Sequence, residues 1–324
     1  MINVAVVGAT GMVGQTFISV LEEYQLPIDR IVFLASERSK GKSVVFNGKS
    51  YPVDVLDEHS FDQPLDYALF SAGGETSKKY APIAAAHGVI VIDNSSAWRM
   101  DPSVPLIVPE VNPQAARAHQ GIIANPNCST IQSVIPLQAL KPWGLKRVIY
   151  STYQAVSGSG YKGVADLKAN LAGQASTFYP KTILHNVLPH IDVFLPSGTT
   201  KEEEKMVNET RKILDLPTLK CTATCVRVPV FNGHSVAINV ELDRPFELDD
   251  ILNALETQPG VQLWREGYPT PLDASGQDLT LVGRVRRDES VDNGLNLWVV
   301  ADNIRKGAAS NAIQIMQKLM EDNT

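Results

Sequence analysis

Cysteine is scarce: there are three in 324 residues, Cys128, Cys221 and Cys225. So few thiols make no disulfide framework, and Cys221-Thr-Ala-Thr-Cys225 lacks the CxxC spacing of redox or zinc pairs. Its alternation suits a strand, no metal site is expected, and a reducing, cytoplasmic compartment fits best. Long apolar runs are also absent. None reaches the length of a transmembrane helix, and Met1-Ile2-Asn3-Val4 reads as the start of a strand rather than a signal peptide, so no membrane partner is expected. Basic runs are missing, and 35 acidic against 29 basic residues leave a net charge of −6. That balance favours solubility and argues against nucleic acid as a partner. There are no repeats, low-complexity segments or long linkers. What remains is globular texture, 44% hydrophobic and 20% charged, in a chain long enough for two domains.

The first half alternates strands and helices. Asn3 to Val7 is a short apolar run, followed at once by Gly8-Ala9-Thr10-Gly11-Met12-Val13-Gly14 and then by helical spacing through Phe17, Ile18, Val20 and Leu21. A strand, a glycine turn and a helix in that order suit a dinucleotide pyrophosphate, because glycines let phosphates approach backbone N–H groups at a helix start. The spacing is GxxGxxG rather than GxGxxG, which makes the motif moderately specific. The strand Arg30 to Ala35 ends in Ser36-Glu37-Arg38-Ser39-Lys40-Gly41-Lys42. An acid here suits the ribose 2′-hydroxyl of NAD, whereas Arg accommodates a 2′-phosphate. Ser36, Arg38 and Ser39 are read as 2′-phosphate ligands, hence NADP; a solvated turn is the competing reading, most seriously for Lys40 and Lys42. A further strand, Asp66 to Phe70, runs into Ser71-Ala72-Gly73-Gly74; a helix over 76–87 and a strand over 89–92 follow. This alternation describes a doubly wound sheet. Arg99, after the last of these strands, is either a surface ion-pair partner or an anion ligand.

The stretch Ala124-Asn-Pro-Asn-Cys128-Ser-Thr-Ile-Gln132 is the candidate centre of the chemistry. Asn and Pro hold the chain out of helix until Asn127, and Ile131, Val134, Ile135 and Leu140 then recur as on an amphipathic helix. Cys128 therefore sits at a helix N-terminus, where unpaired N–H groups and the macrodipole draw a thiol of ordinary pKa about 8.5 toward the nucleophilic thiolate. A buried structural cysteine is an equal alternative on this stretch alone.

The second half has a different texture. Residues 147–156 alternate like a long antiparallel strand carrying Gln154, a core hydrogen-bonder or a substrate positioner. Glu202-Glu203-Glu204-Lys205 opens a helix; the acids complement its dipole, and Glu202 and Lys205 share a face. Residues 222–230 and 235–242 read as a hairpin closed at Asn232-Gly233, which sets Arg227 and His234 near its turn. Strands over 279–285 and 295–300 and a last helix over 306–320 complete the chain.

Taken together, several motifs resemble the aspartate-semialdehyde dehydrogenase family. They are the glycine turn 8–14, Asn94-Ser-Ser-Ala-Trp-Arg99, Asn125-Pro-Asn-Cys-Ser-Thr130, Ser151-Thr-Tyr-Gln-Ala-Val-Ser-Gly158, Arg227-Val-Pro229 with Gly233-His234, and Asp302-Asn303 with Lys306-Gly-Ala-Ala309. They run from the first strand to the last helix in the family's order. The resemblance implies an α/β protein: an N-terminal Rossmann-like doubly wound sheet completed by the C-terminal helix (1–127 plus 305–324, NADP-binding), and an α+β catalytic and dimerisation domain (128–304) with a mixed or antiparallel sheet. It implies NADPH-dependent, reversible reduction of L-aspartyl 4-phosphate to L-aspartate 4-semialdehyde and phosphate by a homodimer, in lysine/diaminopimelate, threonine and methionine biosynthesis.

By family position Cys128 forms a thioacyl intermediate, and His234 is the acid/base, working near its ordinary pKa of about 6.5. Gln154 positions the carbonyl, Arg227 grips the substrate α-carboxylate, Glu202 meets the α-amino group, and Arg99 and Lys205 bind phosphate. Gly8, Thr10, Gly11, Met12, Val13, Ser36, Arg38, Ser39, Ser71, Ala72, Gly73, Ser157, Gly158 and Gln314 belong to the cofactor site, Gln314 near the nicotinamide. Two departures stand out: the stretch from Gly160 to Asn186 is shorter than in many bacterial relatives, and the hairpin after His234 is tighter. The nearest rival activity is N-acetyl-glutamyl-phosphate reduction, whose substrate has no free amine for Glu202 to hold. The short-chain dehydrogenases are excluded, because no tyrosine has Lys four residues on. A non-enzymatic NADP sensor with a structural Cys128 is the remaining alternative.

Overall fold

A computed structural model describes residues 1–322. The chain forms two compact units, residues 1–126 with the C-terminal stretch from Ala308, and residues 127–307.

The first unit begins with β1 (Ile2–Val7), α1 (Met12–Tyr24), β2 (Ile28–Ala35), β3 (Ser43–Phe46), β4 (Lys49–Val55), β5 (Tyr67–Phe70), α2 (Gly74–Ala86), β6 (Ile90–Asp93) and β7 (Ile122–Ala124). These make one seven-stranded sheet in the order β3-β4-β2-β1-β5-β6-β7. β1 runs parallel to both β2 and β5, so the strand order reverses beside β1. That reversal opens a crevice at the strands' C-terminal ends. Val4 to Val7 and Tyr67 to Phe70 are buried on both faces, which is why they read as unbroken apolar runs rather than alternating ones. The edge hairpin β3–β4 was not anticipated. Phe46 pairs with Lys49, and Asn47 and Gly48 both take positive φ, the primed turn that Asn-Gly favours.

The second unit contains α3 (Cys128–Leu140), β8 (Leu145–Gln154), α4 (Gly160–Leu171), α5 (Lys201–Leu214), β9 (Lys220–Arg227), β10 (His234–Leu242), α6 (Leu248–Thr257), β11 (Val261–Leu263), α7 (Pro271–Ala274), β12 (Thr280–Asp288) and β13 (Gly294–Ala301). Its six-stranded sheet is mixed, in the order β11-β12-β13-β10-β8-β9. The expected hairpin of β9 with β10 does not form. β9 lies parallel to β8 on one side, and β10 lies antiparallel to it on the other. Pro229 cannot donate to a ladder, and the chain after Arg227 crosses the end of β8, with Val156 N–H donating to Val230 O and Ser157 N–H to Phe231 O. The Asn232-Gly233 turn is tied down by Asp302 and Asn303 instead. Even so, Gln154, Arg227 and His234 end at one edge of the sheet, because Gln154 pairs with Arg227 and Tyr153 with Ser235.

Helix α3 is not amphipathic. Ser129, Thr130, Gln132 and Ser133 are as buried as Ile131 and Val134, since the helix packs against α5, α6 and the sheet. The chain then returns to the first unit through a wide helical turn, Arg305–Ala309, and α8 (Ser310–Asp322). Ala312, Ile313, Ile315, Met316 and Leu319 of α8 share a core with Phe17, Val20 and Leu21 of α1, so the C-terminal helix completes the N-terminal sheet.

Candidate active site

In the second unit α3 starts at Cys128, as the Asn-Pro-Asn turn predicts. Asn127 caps it, and its Oδ1 accepts the Ser129 and Thr130 N–H groups at 3.0 and 3.3 Å. Two buried acids on one face of α5 hold this cap. Glu209 accepts the Asn127 backbone N–H at 2.6 Å, and Glu202 Oε1 accepts Asn127 Nδ2–H at 2.9 Å. The three consecutive glutamates divide their work. Glu203 closes a capping box with Thr200, Glu204 stands in the first turn, and Glu202 turns into the site. Glu202 also accepts Gln154 Nε2–H at 3.1 Å and pairs with Lys205 at 3.2 Å. Burial opposes its ionisation, but the Lys205 charge and the Asn127 and Gln154 hydrogen bonds outweigh that, and its carboxyl stays below the usual range. Thr152 Oγ1 donates to Gln154 Oε1 at 3.0 Å, so the amide orientation of Gln154 is fixed at both ends. Lys205 additionally pairs with Asp192 at 2.7 Å.

Arg227 is 5% exposed. Its Nη1 donates to Ala155 O at 2.7 Å, and among the described residues its Nε has no hydrogen-bond partner and no carboxylate forms an ion pair with it. A buried guanidinium with so much unused donor capacity is a ready fork for a carboxylate. His234 is fully buried, its Nδ1 accepts the Ala155 N–H at 3.0 Å, and among the described residues its Nε2 has no partner. The expectation of a histidine near its ordinary pKa is corrected: burial first, and then the Arg227 charge, push the imidazolium well below 6.5.

Four residues missed in the sequence bind these groups together. Gln132, one turn after Cys128, donates to the His234 carbonyl at 3.0 Å. Asn303 Oδ1 accepts the Gly233 N–H at 2.9 Å, and its Nδ2 donates to Ser157 Oγ at 2.9 Å. Glu209, as above, holds the residue before the thiol. The signals were there: Asn303 and Gly307 lie in the motif that runs from Asp302 to Ala309, Gln132 closes the stretch around Cys128, and Glu209 stands seven residues after Glu202 on the same helical face. The fourth is Gly307: a Cβ there would lie 2.8 Å from Cys128 Cβ. Gly307→Ala is therefore expected to displace the thiol and lower kcat by about 10²-fold, since misplacement by about 1 Å costs that much. A steady-state assay showing wild-type kcat would remove this close approach from the account. Gly158 is similarly crowded, because a Cβ on it would lie 2.8 Å from Arg227 Nη1 and 3.1 Å from His234 Nε2.

The buried His234 and Glu202 also set the acid limit of stability. Below about pH 6.5 the unfolded chain takes up a proton at His234 that the folded chain refuses, so stability present above 6.5 is lost as pH falls. Glu202, with its folded value depressed, adds a second loss below about 4.5. Urea unfolding should show stability declining below pH 6.5 by up to about 1.4 kcal/mol per pH unit, and His234→Gln should flatten that first decline. An unchanged slope in the variant contradicts the assignment.

In the first unit, two glycine turns lie side by side at the sheet's C-terminal edge. Gly8 has φ +87, and a Cβ on it would come 2.4 Å from Ser71 O. Gly11 caps α1 without a side-chain bond, leaving the N–H groups at Met12 and Val13 uncapped by any side chain. Thr10 Oγ1 and Ser39 Oγ are hydrogen-bonded at 2.9 Å, which joins the glycine turn to the loop after β2. Ser36 and Arg38 of that loop are exposed, and Glu37 is paired with Lys40 at 3.0 Å. Ala72 and Gly73 lead into α2. Arg99 is buried, donating to Asn125 O and Asn94 O at 2.9 Å each, where β7 and β6 end.

Gln314 donates to the hydroxyl of Tyr24, the last residue of α1, at 3.1 Å. Asn311, one turn earlier on α8, donates to Asn125 Oδ1 at 2.7 Å beside the C-terminal end of β7.

Two family models match in tandem: the semialdehyde dehydrogenase NAD binding domain over residues 3–119, and the semialdehyde dehydrogenase dimerisation domain over 135–306. Aspartate-semialdehyde dehydrogenase of Aquifex aeolicus is 51% identical over 337 aligned positions, covering 99% of this chain and 98% of the relative. The chain belongs to the aspartate-semialdehyde dehydrogenase family. It is an oxidoreductase of amino-acid biosynthesis. Aspartate-semialdehyde dehydrogenase 2 of Vibrio cholerae is 49% identical over 99% of the chain and 98% of the relative. A crystal structure of aspartate semialdehyde dehydrogenase II from that organism superposes with a TM-score of 0.96, at 48% identity over the whole of both chains. The Candida albicans enzyme, solved with NADP, is 25% identical with a TM-score of 0.79, covering 100% of this chain and 99% of that one. Among the described residues no helix is long and apolar enough to cross a membrane.

Proposed function

We propose that the chain catalyses the NADPH-dependent reductive dephosphorylation of L-aspartyl 4-phosphate to L-aspartate 4-semialdehyde through a thioacyl Cys128, on the route to lysine/diaminopimelate, threonine and methionine. The single observation that carries this reading is Arg227, a buried guanidinium with no carboxylate ion pair among the described residues, which holds the carbonyl of the same Ala155 whose N–H meets the buried His234. Arg227 takes the substrate α-carboxylate bidentately. Glu202, held ionised by Lys205, takes the α-amino group, and Gln154 orients the carbonyl. The Cys128 thiolate, at the α3 N-terminus, attacks that carbonyl and phosphate departs, leaving a thioester. Lys205 is the second unit's phosphate ligand and Arg99 the first unit's. Hydride reduction of the thioester gives a tetrahedral thiohemiacetal that collapses to the aldehyde and regenerates the Cys128 thiolate. His234 is the acid/base, with Nε2 the ring nitrogen left without a partner among the described residues.

The residues present in the first unit suit a dinucleotide. The space beside Gly8 and Ser71 that any Cβ would fill, and the uncapped N-terminus of α1, suit a pyrophosphate, with Thr10, Gly11, Met12 and Val13 around it. Ser36, Arg38 and Ser39 suit a 2′-phosphate, while Glu37 is occupied by Lys40. Ser71, Ala72 and Gly73, with Ser157 and Gly158 of the second unit, complete the assigned cofactor residues. Bound NADPH supplies the hydride. Residues 1–127 with 305–324 are thus assigned to cofactor binding and 128–304 to catalysis and dimerisation. The protein is proposed to act as a homodimer in the cytoplasm. The six-stranded sheet offers the self-association face, where partly exposed Ser151, Asn239, Asn296 and Trp298 line a broad cavity.

The test is the reverse assay, in which NADP is reduced with L-aspartate 4-semialdehyde and phosphate. Turnover with NADP well above that with NAD is expected. Preference for N-acetyl-glutamate semialdehyde, or for NAD, overturns the corresponding assignment.

A further inference from the structure

We infer that Asp302 is a positioning residue that holds the nucleophile Cys128 and the acid/base His234 at a fixed separation, acting on both through the backbone. The inference rests on the roles proposed above for those two side chains. Asp302 is 3% exposed and follows Ala301, the cross-strand partner of His234 at the end of β13. The donors that reach it fall into two groups. Oδ2 accepts Asn232 Nδ2–H at 2.7 Å and the Gly276 N–H at 2.8 Å. Oδ1 accepts the Ile304 and Arg305 N–H groups at 2.9 and 3.0 Å, and the backbone oxygen accepts the Gly307 N–H at 2.9 Å.

The first group leads to His234. Asn232 and Gly233 make the turn that delivers β10, and Gly233 has φ +88, with α7 so close that a Cβ there would lie 2.9 Å from Pro271. A glycine turn is permissive, so its geometry has to be set from outside. Asn303 holds the Gly233 N–H and Asp302 holds the Asn232 side chain. The two residues before His234 are thus fixed by the two that follow its strand partner. The second group leads to Cys128. The bonds to Ile304, Arg305 and Gly307 fold a tight turn that ends with Gly307 against the thiol residue. A Cβ on Gly307 would lie 2.8 Å from Cys128 Cβ and 3.3 Å from its Cα.

The chemistry of the donors explains why this residue is an aspartate. Oδ1 bonds to the residues two and three ahead make a local turn that asparagine supports equally well. Oδ2, however, has partners 70 and 26 residues away, and both are donors. The second terminal atom must therefore accept as well. An asparagine has one accepting oxygen and a carboxylate has two. It is the tie between the two groups, and not the local turn, that requires the acid. A buried carboxylate met by donors on both oxygens is a stiff joint. Stiffness matters here because proton transfer and thiolate attack depend on the spacing of their groups to within about 1 Å.

The test compares variants of the full chain in the reverse assay, with L-aspartate 4-semialdehyde, phosphate and saturating NADP. The single accepting oxygen of Asp302→Asn serves Asn232 and Gly276, or Ile304 and Arg305, so the tie breaks whichever way the amide turns. This variant should lose about 10²-fold in kcat with KM for the semialdehyde within about threefold of wild type, because Arg227 and Glu202 hold the substrate independently of Asp302. Asn232→Ala leaves the branch to Cys128 intact and should show the same split with a loss of about tenfold. The double variant should lose no more than Asp302→Asn alone, since both changes cut one tether. Asp278→Ala is the control for a purely structural role. It removes the Arg305–Asp278 ion pair (3.0 Å) from the same turn and leaves the branch to His234 in place. It should lower the urea midpoint and keep kcat within about twofold of wild type. A kcat loss in Asp302→Asn no larger than in Asp278→Ala, a rise in KM in place of the fall in kcat, or additive losses in the double variant overturns the inference. Full turnover in Cys128→Ala would instead overturn the roles on which it rests.

Discussion

Cys128→Ser is expected to lower turnover by about 10⁴-fold or more, with the fold retained. The hydroxyl would occupy the same helix start, capped by the same Asn127, so binding should change little. What it lacks is a route to ionisation. A serine hydroxyl needs a base, and His234, held by burial well below its ordinary pKa, is a weak one for an alcohol, while Glu202 is hydrogen-bonded to Asn127 and Gln154 and paired with Lys205. A thiol at a helix N-terminus needs less help, because its ordinary pKa is already close to neutral. Steady-state rates above about a hundredth of wild type in the serine variant would show that the easier ionisation of the thiol is not what turnover depends on.

Arg227→Lys comes next, with an expected loss of about 10²–10³-fold in kcat/KM for the semialdehyde, while Lys205→Arg should lose less than about tenfold. Arg227 has two tasks. One Nη1–H holds the Ala155 carbonyl, and the remaining donors are left for a carboxylate. An ammonium can be a point charge for one of these partners but cannot be a planar fork for the second. Lys205 already sits between Asp192 and Glu202 as a point charge, so a guanidinium can replace it there. Comparable losses in the two variants would count against the carboxylate clamp.

The local signals were legible where the physics is local. Asn125-Pro126-Asn127 announces the start of α3, because proline and asparagine act on their immediate neighbours, and the glycine turn at 8–14 announces α1 for the same reason. Asn-Gly shows the limit of such reasoning. At 47–48 it closes a two-residue hairpin that went unread. At 232–233, where a hairpin was expected, Asp302 and Asn303 capture the turn and the strands part to either side of β8. The difference lies some 70 residues away and cannot be read from the dipeptide.

Burial was misjudged in α3 for a related reason. Ile131, Val134 and Ile135 trace one apolar face, but three neighbouring layers enclose the helix, and Ser133 and Gln132 find their partners in Ser129 O and His234 O. In α8 the cofactor role of Gln314 comes from family position alone, and the helix sets its amide against Tyr24 and that of Asn311, one turn earlier, against Asn125. The supports of the site, Glu209, Gln132 and Asn303, are all long-range partners. They became visible only when the sheet brought its edge residues together.

The thioacyl enzyme is the centre of the account, and rapid mixing with L-aspartyl 4-phosphate in the absence of NADPH tests it most directly. The prediction is a burst of one phosphate per active site, together with an aspartyl adduct that peptide mass mapping places on Cys128 and that is missing from Cys128→Ala. No burst, or a burst whose adduct maps to another residue, would contradict it.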